Sequence, residues 1–204
     1  MNTKMWSSKM VQANMVRLRE AGYELMEPAS GDLACGTEGK GRLPSIEEIV
    51  ERIEDIFTTK DLTAERIMVT AGPTTEYIDP VRCITNRSSG KMGYAIAEAA
   101  AHRGAKVLLI SGPSELDPPP GVETVHVETV VEMFEAVTER VKSADVFISA
   151  AAPSDFRPAQ SAQQKVKKSE HWTLELDKAE DILAHVGANK GDTILVGFAA
   201  ETED

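Results

Sequence analysis

Apolar positions follow two different rhythms along this chain, and the change falls near residue 60. Up to that point the spacing is helical. Val11, Met15 and Leu18 share one helix face, with an end near Gly22. Ser45 and Glu48 form a capping-box pattern ahead of Ile46, Ile49, Val50, Ile53 and Phe57, which recur at i, i+3, i+4, i+7 and i+11 and predict an amphipathic helix. Between these helices, GDLACGTEGKG (residues 31–41) is too rich in glycine for a stable helix and reads as a loop. Residues 1–60 thus read as helices around a glycine-rich loop, and Thr58 to Glu65 as a polar linker.

From about residue 64 short apolar runs alternate with helical stretches. The runs are Ile67–Val69, Val107–Ile110, Val146–Ile148 and Ile194–Val196. Met92, Ala95, Ile96, Ala99 and Ala100 mark one intervening helix face. Val130, Met133, Phe134, Val137 and Val141 mark another. Strands without polar alternation are covered on both faces, so the pattern predicts a doubly wound, Rossmann-like, mostly parallel α/β sheet. Trp172, Leu174 and Leu176 alternate with polar residues and predict a half-exposed strand. In such sheets ligands bind beyond the carboxyl ends of the strands, which directs attention to the segments after Val69, Ile110, Ile148 and Val196.

Composition narrows the partners. The 204 residues carry a formal net charge of -11, which disfavours nucleic acid, whose phosphates are held mainly by clustered Lys and Arg. One nucleotide site needs only a few local donors and stays open. The two cysteines, Cys35 and Cys83, form neither a CxxC nor a zinc pattern, and a reducing cytoplasm suits them. The first residues lack the apolar core of a signal peptide, and no run approaches the ~18 apolar residues of a membrane span.

Four segments lie where that sheet would present its loops. The first is AGPTTEYIDPVRCITNRSSGKMG, residues 71–93, a long connection ending in Ser88, Ser89, Gly90 and Lys91 at a helix start. Free backbone N–H groups, two hydroxyls and the positive helix end make an anion site. Simple capping by Ser88 or Ser89 would account for the serines but not for so long a loop. The segment is neither a Walker A motif nor GxGxxG. The second, AAAPSDF (150–156), offers Asp155 for a metal ion or ribose and Phe156 for a base, and reads equally well as a turn with a core phenylalanine. The third, KVKK (165–168), taken alone is a solvated charge run. The fourth is GFAAE (197–201), which could also be a strand running into a turn.

In combination these segments resemble the bacterial bifunctional flavoproteins that join phosphopantothenoylcysteine decarboxylase to phosphopantothenate–cysteine ligase. GPTTEYIDPVRCITNRSSGKMG looks like the ligase signature loop, with AAPSDF, KVKK and GFAAET in the family's order. MNTKMW and ACGTEGKGR are similar to the end of the decarboxylase's PxMNxxMW motif and to its active-site flap. The resemblance implies a decarboxylase tail over residues 1–60 and a ligase domain over 64–204 that runs on past Asp204, so that the chain corresponds to the middle of a longer protein. By the same resemblance Asn86 handles an acyl-cytidylate intermediate and Lys165 is needed to form it. Gly72, Ser88, Ser89, Gly90, Lys91, Ala152, Asp155, Phe156, Lys165 and Phe198 surround the nucleotide, with Asp155 towards a metal. Asn2 and Cys35 bind substrate carboxylate and donate a proton in decarboxylation. Cys83, Pro153 and Ser154 depart mildly from the family's commoner residues.

What the resemblance implies is coenzyme A biosynthesis in the cytoplasm. CTP with Mg²⁺ activates the carboxylate of 4′-phosphopantothenate, and the amine of cysteine then displaces CMP. FMN belongs to the parent protein's decarboxylase and is not expected to bind here; no nucleic acid or membrane is involved, and the full-length ligase is expected to be a homo-oligomer. Two other classes stay open. A Rossmann oxidoreductase lacks its dinucleotide fingerprint and the Tyr/Lys pair here, and a nucleotide-binding fragment without turnover is the other.

Overall fold

The computed structural model of the chain describes residues 1–199. The chain divides into two compact units, Met1–Thr58 and Thr59 onward. The first unit runs α1 (Thr3–Trp6), α2 (Lys9–Glu20), β1 (Ala29–Asp32), β2 (Glu38–Arg42) and α3 (Ile46–Phe57). The expected capping box of α3 is present, with Ser45 and Glu48 each bonding the other's backbone N–H. Its apolar stripe nevertheless stays largely open, Phe57 being 83% exposed. The glycine-rich segment is not a bare loop between helices. It folds as an antiparallel hairpin, with Gly31 opposite Gly39. Glycine permits this because a Cβ at Gly41 would run into the carbonyl of Met1, so the chain's first residues can lie against β2.

The second unit contains β3 (Arg66–Ala71), β4 (Thr75–Tyr77), β5 (Cys83–Thr85), α4 (Lys91–His102), β6 (Lys106–Ser111), β7 (Glu123–His126) and α5 (Val130–Arg140). There follow β8 (Val146–Ser149), β9 (Phe156–Pro158), β10 (Leu176–Lys178), α6 (Ile182–Asn189) and β11 (Ile194–Gly197). A five-stranded sheet in the order β11-β8-β3-β6-β7, parallel throughout, forms its centre. Side chains of the central strands alternate between two cores. Ile67, Val69, Val107 and Leu109 pack under α4, while Met68, Ile110 and Phe147 pack under α5 and α6. That two-sided burial is why the strands read as unbroken apolar runs. The expected doubly wound, Rossmann-like α/β fold is the one observed.

Several local expectations are corrected. Residues 58–65 are more than a linker, since Leu62 N–H donates to the Arg103 carbonyl at 2.9 Å and Asp61 pairs with the Arg103 guanidinium. The buried face of α4 is Gly93, Tyr94, Ala97 and Ala100, whereas Met92 is 46% exposed. Its many alanines leave the hydrophobic phase ill-defined, and close packing on β3 settles it. Strand β7 and helix α6 were not foreseen; β7 is an edge strand without an apolar run. Of the stretch Trp172–Leu176, only Leu176 enters a strand, pairing with Pro158.

Gly93 is where α4 touches the sheet. A Cβ there would stand 2.5 Å from that of Ala71 and 2.9 Å from the Thr70 carbonyl. Alanine ordinarily gains up to ~1 kcal/mol over glycine inside a helix. Overpacking against a strand that cannot move aside costs about 1–3 kcal/mol. Gly93→Ala is therefore expected to lower the stability of the second unit, measured as an earlier urea midpoint with unchanged slope; a later midpoint would refute the close approach.

Candidate functional site

Strand order reverses between β3 and β8, with β6 and β7 on one side and β11 on the other. The crevice of such a sheet opens at this reversal. On its β6 side, loops after β3 and β6 and the start of α4 meet by main-chain contact. Gly72 has φ 76°, and a Cβ on it would come 3.2 Å from the Gly112 carbonyl; one on Gly90 would come 3.2 Å from the Gly72 nitrogen. Across the reversal Ala152 N–H donates to the Gly72 carbonyl at 2.8 Å, and Pro73 and Ala152 form an isolated parallel bridge.

Neither serine caps α4. Its N-cap is Gly90 in the left-handed region, with no side-chain cap. Ser88 Oγ accepts from Gly90 N–H, and the Ser89 carbonyl accepts from the Ser114 hydroxyl. Among the described residues the first-turn N–H groups of α4 thus have no side-chain acceptor, and Lys91, in that turn, is exposed. This combination of free donors, helix dipole and cation suits an anion.

Asn86 closes the loop from the other side. Its Nδ2 donates to the carbonyls of Ala152 (3.2 Å) and Pro153 (2.9 Å). Two carbonyl acceptors fix the amide orientation, because only N–H₂ can face them. The amide hydrogens thus already serve the backbone, and Oδ1 is the end without a partner among the described residues. Beyond Pro153, the Ser154 N–H donates to Thr74 Oγ1 at 2.9 Å. Asp155 is exposed, and its carboxylate has no partner among the described residues. Phe156 is not core but 51% exposed, and Phe198, after β11, is 53% exposed. Ala200 and Glu201 lie outside the described residues. One free carboxylate fits a Mg²⁺ that arrives on a nucleotide, since that ion takes one or two carboxylates and fills its remaining positions with phosphate oxygens and water.

The residues that sequence reasoning missed lie on the β4–β5 hairpin. Glu76 is buried, and its carboxylate accepts the Val130 N–H that opens α5, at 2.9 Å. Asp79, at the turn, is fully enclosed. One of its oxygens accepts from the N–H groups of Val81 and Arg82; the other accepts from the Arg82 guanidinium and from Val166 N–H at 3.2 Å. The guanidinium holds the Asp79 carboxyl well below the usual carboxylate range, the backbone donors add to this, and burial opposes it. Arg82 also donates to the Val166 carbonyl at 2.9 Å and lies 4.5 Å from the Trp172 ring centre. The KVKK segment is therefore anchored at Val166, leaving Lys165 exposed beside the anchor. Asp79-Pro80 is a legible turn signal, but the partner 87 positions away is not.

In the first unit Asn2 and Cys35 line one recess of about 410 Å³ with Met1, Asp32, Gly41 and Arg42. Asn2 Oδ1 caps α1 by accepting from Met5 N–H, which leaves its N–H₂ free to donate. Cys35 Sγ is 3.2 Å from Thr37 Oγ1, and hydrogen bonding from the Thr37 hydroxyl, then from its N–H, draws the thiol below its ordinary range.

Fold and site together define a Rossmann-like domain whose long loops gather at the switch point of the sheet. Residues 62–204 match the model of the DNA/pantothenate metabolism flavoprotein C-terminal domain, and residues 1–58 match that of the flavoprotein family. The chain belongs to the DNA/pantothenate metabolism flavoprotein family. It is 47% identical over 209 residues to the coenzyme A biosynthesis bifunctional protein CoaBC of Bacillus subtilis (strain 168), covering 100% of this chain and 52% of that protein. The chain thus spans about half the length of the curated relatives it matches. The crystal structure of the C-terminal domain of a coenzyme A biosynthesis bifunctional protein CoaBC aligns with TM-score 0.65 at 47% identity, over 72% of this chain and 69% of that one. The DNA/pantothenate metabolism flavoprotein from Streptococcus pneumoniae aligns with TM-score 0.56 at 29% identity, over 64% and 67%. No helix among the described residues is long and apolar enough to cross a membrane.

The Cys35 environment gives a pH prediction. A depressed pKa raises the thiolate fraction at neutral pH, so alkylation of Cys35 by iodoacetamide should accelerate at lower pH than in Thr37→Val. Mass spectrometry of the Cys35 peptide across about pH 6.5–10.5, roughly two units either side of the ordinary thiol value of about 8.5, reads it. Superimposed profiles would remove Thr37 as the cause.

Proposed function

We propose that this chain carries the nucleotide-binding core of a CTP-dependent phosphopantothenate–cysteine ligase of coenzyme A biosynthesis, with residues 1–60 as the tail of a phosphopantothenoylcysteine decarboxylase. The observation that carries the reading is the convergence at one switch point of Asn86, the Ala152–Phe156 loop and the uncapped start of α4, with Lys165 anchored to the same hairpin. The relatives' names and the family match support it. The reaction has two steps. A carboxylate oxygen of 4′-phosphopantothenate attacks the α-phosphorus of CTP and expels pyrophosphate. The amine of cysteine then attacks the acyl carbon, CMP leaves, and the amine gives up a proton.

In the first step Lys165 and Lys91 neutralise phosphate charge, the α4 N–H groups and the backbone at Gly72 and Ser88–Gly90 cradle phosphate oxygens, and the exposed rings of Phe156 and Phe198 offer stacking surface for the base beside Ala152. Asp155 would hold Mg²⁺, which supplies charge neutralisation on the nucleotide. In the second step Asn86 keeps its N–H₂ on the Ala152 and Pro153 carbonyls, and its free Oδ1 accepts an N–H of the attacking amine. Asn2 and Cys35 retain the decarboxylase roles of carboxylate binding and proton donation. The FMN of the parent protein is not assigned to this chain. The longer ligase is proposed to be a homo-oligomer in the cytoplasm.

Isothermal titration of this chain with CTP and Mg²⁺ should give saturable heat; a folded sample without it would count strongly against the reading. In the protein lengthened to match its relatives, Lys165→Gln should abolish cytidylate formation, whereas Asn86→Asp should accumulate it. The aspartate sets a carboxylate against two carbonyls and loses the fixed amide, and loss of one such positioned group typically costs ~10²–10³ in rate. Quenched reactions without and with cysteine, read by mass spectrometry, decide this, and the opposite pattern would reverse the two roles.

A further inference from the structure

We propose that Asp79 is a positioning residue for Lys165: its carboxylate fixes the backbone at Val166 and thereby sets where the neighbouring lysine stands relative to the loop that carries Asn86. The role given to Lys165 rests on the ligase reading; the tether does not. Residues 159–175 leave the antiparallel pair β9–β10 and return to it, closed by Ala159 N–H on the Glu175 carbonyl at 3.0 Å. Nothing in this excursion is helix or strand. A connection of that length holds one position only where it is tied down.

Its ties all reach the turn of the β4–β5 hairpin. Ala162 N–H donates to the Ile78 carbonyl at 2.9 Å, and the Ser161 hydroxyl donates to the Tyr77 carbonyl. Val166 N–H donates to Asp79 at 3.2 Å, the Val166 carbonyl accepts from Arg82 at 2.9 Å, and Trp172 lies over the same guanidinium. The tie at Val166 stands next to the lysine and uses both polar groups of one residue's backbone. The N–H and C=O of Val166 belong to the two peptide planes on either side of its Cα, and holding both fixes the direction of the chain through that residue. The Lys165 ammonium has no partner among the described residues, so its four-carbon stem sweeps a volume centred by that backbone.

The two Asp79 oxygens do different things. Oδ1, on the N–H groups of Val81 and Arg82, closes the turn. Oδ2, on Arg82 and Val166, is not needed for the turn. Asparagine separates these. Its one oxygen can keep the turn, and its N–H₂ then faces the Arg82 and Val166 donors, so that preserving the turn breaks the tether.

Hydrogen exchange of this chain reads the tether directly. Asp79→Asn should speed exchange in peptides from 159–175 by at least about tenfold while β3, β6 and β8 keep their protection. Val166→Pro, which removes the N–H that Asp79 accepts and leaves the Asp79 turn intact, should speed the same peptides as well, and it decides the matter if Asp79→Asn does not fold. Exchange in 159–175 like the parent's in whichever variant folds overturns the proposal. The second arm uses the protein lengthened to match its relatives. There Asp79→Asn should lower kcat for cytidylate formation by about 10–100-fold with the CTP KM within about threefold. Loosened exchange with the parent's kcat would overturn the positioning role. A parent that forms no cytidylate sinks the ligase reading instead, and the exchange result then stands for or against the tether by itself.

Discussion

Everything at the carboxyl edge of the sheet depends on how closely the main chain passes itself at Gly72. The loop after β3, the start of α4 and the loop after β6 meet there backbone to backbone, with no side chain between them. A Cβ on Gly112 would fall inside the Pro73 carbonyl, and those of Gly72 and Gly90 would press on neighbouring main-chain atoms. Because that side is sealed, the chain beyond Pro73 turns towards β8, where it bridges to Ala152. The β4–β5 hairpin leaves from this fixed point, which is why its two ends can serve as reference positions for other loops. One end docks through Glu76 on the start of α5, and the other holds the excursion at Val166.

The electrostatics of the site are set by local groups. The whole molecule is acidic, yet Arg87 and Lys91 lie on the loop and helix start at the switch point, and Lys165, Lys167 and Lys168 lie on the excursion tied to the far end of the β4–β5 hairpin. Two nearby acids are committed elsewhere: Glu76 is taken up by a helix start and Asp79 by a guanidinium and three N–H groups. Asp155 is exposed, as are Glu115 and Asp117 on the loop after β6 and Glu170 on the 159–175 excursion. An anionic ligand there meets these individual charges rather than the net charge of -11, because over a Debye length of ~8–10 Å only the local groups decide binding.

The central fold was legible because burial on both faces writes itself as unbroken apolar runs, as in Val107–Ile110. Where burial is one-sided or absent the signal fades. Edge strand β7 carries Glu123 and His126, and the glycines of β1 and β2 look like loop until main-chain pairing uses them. The phase of α4 was misjudged because glycine, the least hydrophobic-looking residue on its face, is the one that lets it touch β3. The loop that carries Asn86 and the Ala152–Phe156 segment stood out because they follow strand ends, whereas Lys165 reads as part of a solvated charge run until the family resemblance singles it out. Asp79 and Arg82 did not, since their functionally interesting partner is a valine backbone far along the chain, and a main-chain N–H has no sequence signature. Nor could sequence show that the Asn86 amide is already occupied.

That occupied amide bears on the order of events. Since Asn86 holds the Ala152 and Pro153 carbonyls, the loop leading to Asp155 and Phe156 and the side chain proposed to receive the amine form one body. Any displacement of that loop on nucleotide binding carries Oδ1 with it. On the proposed reading, the nucleotide that activates the acid in the first step also sets the acceptor for the second, and the intermediate keeps its CMP moiety as the handle that maintains this setting. The lysine is held on the opposite end of the same hairpin through a different anchor, so the two steps can be perturbed separately while the acyl group stays in one place. Proximity of this kind is worth most when neither group must be reordered between steps, because the ordering entropy is then met once, by folding.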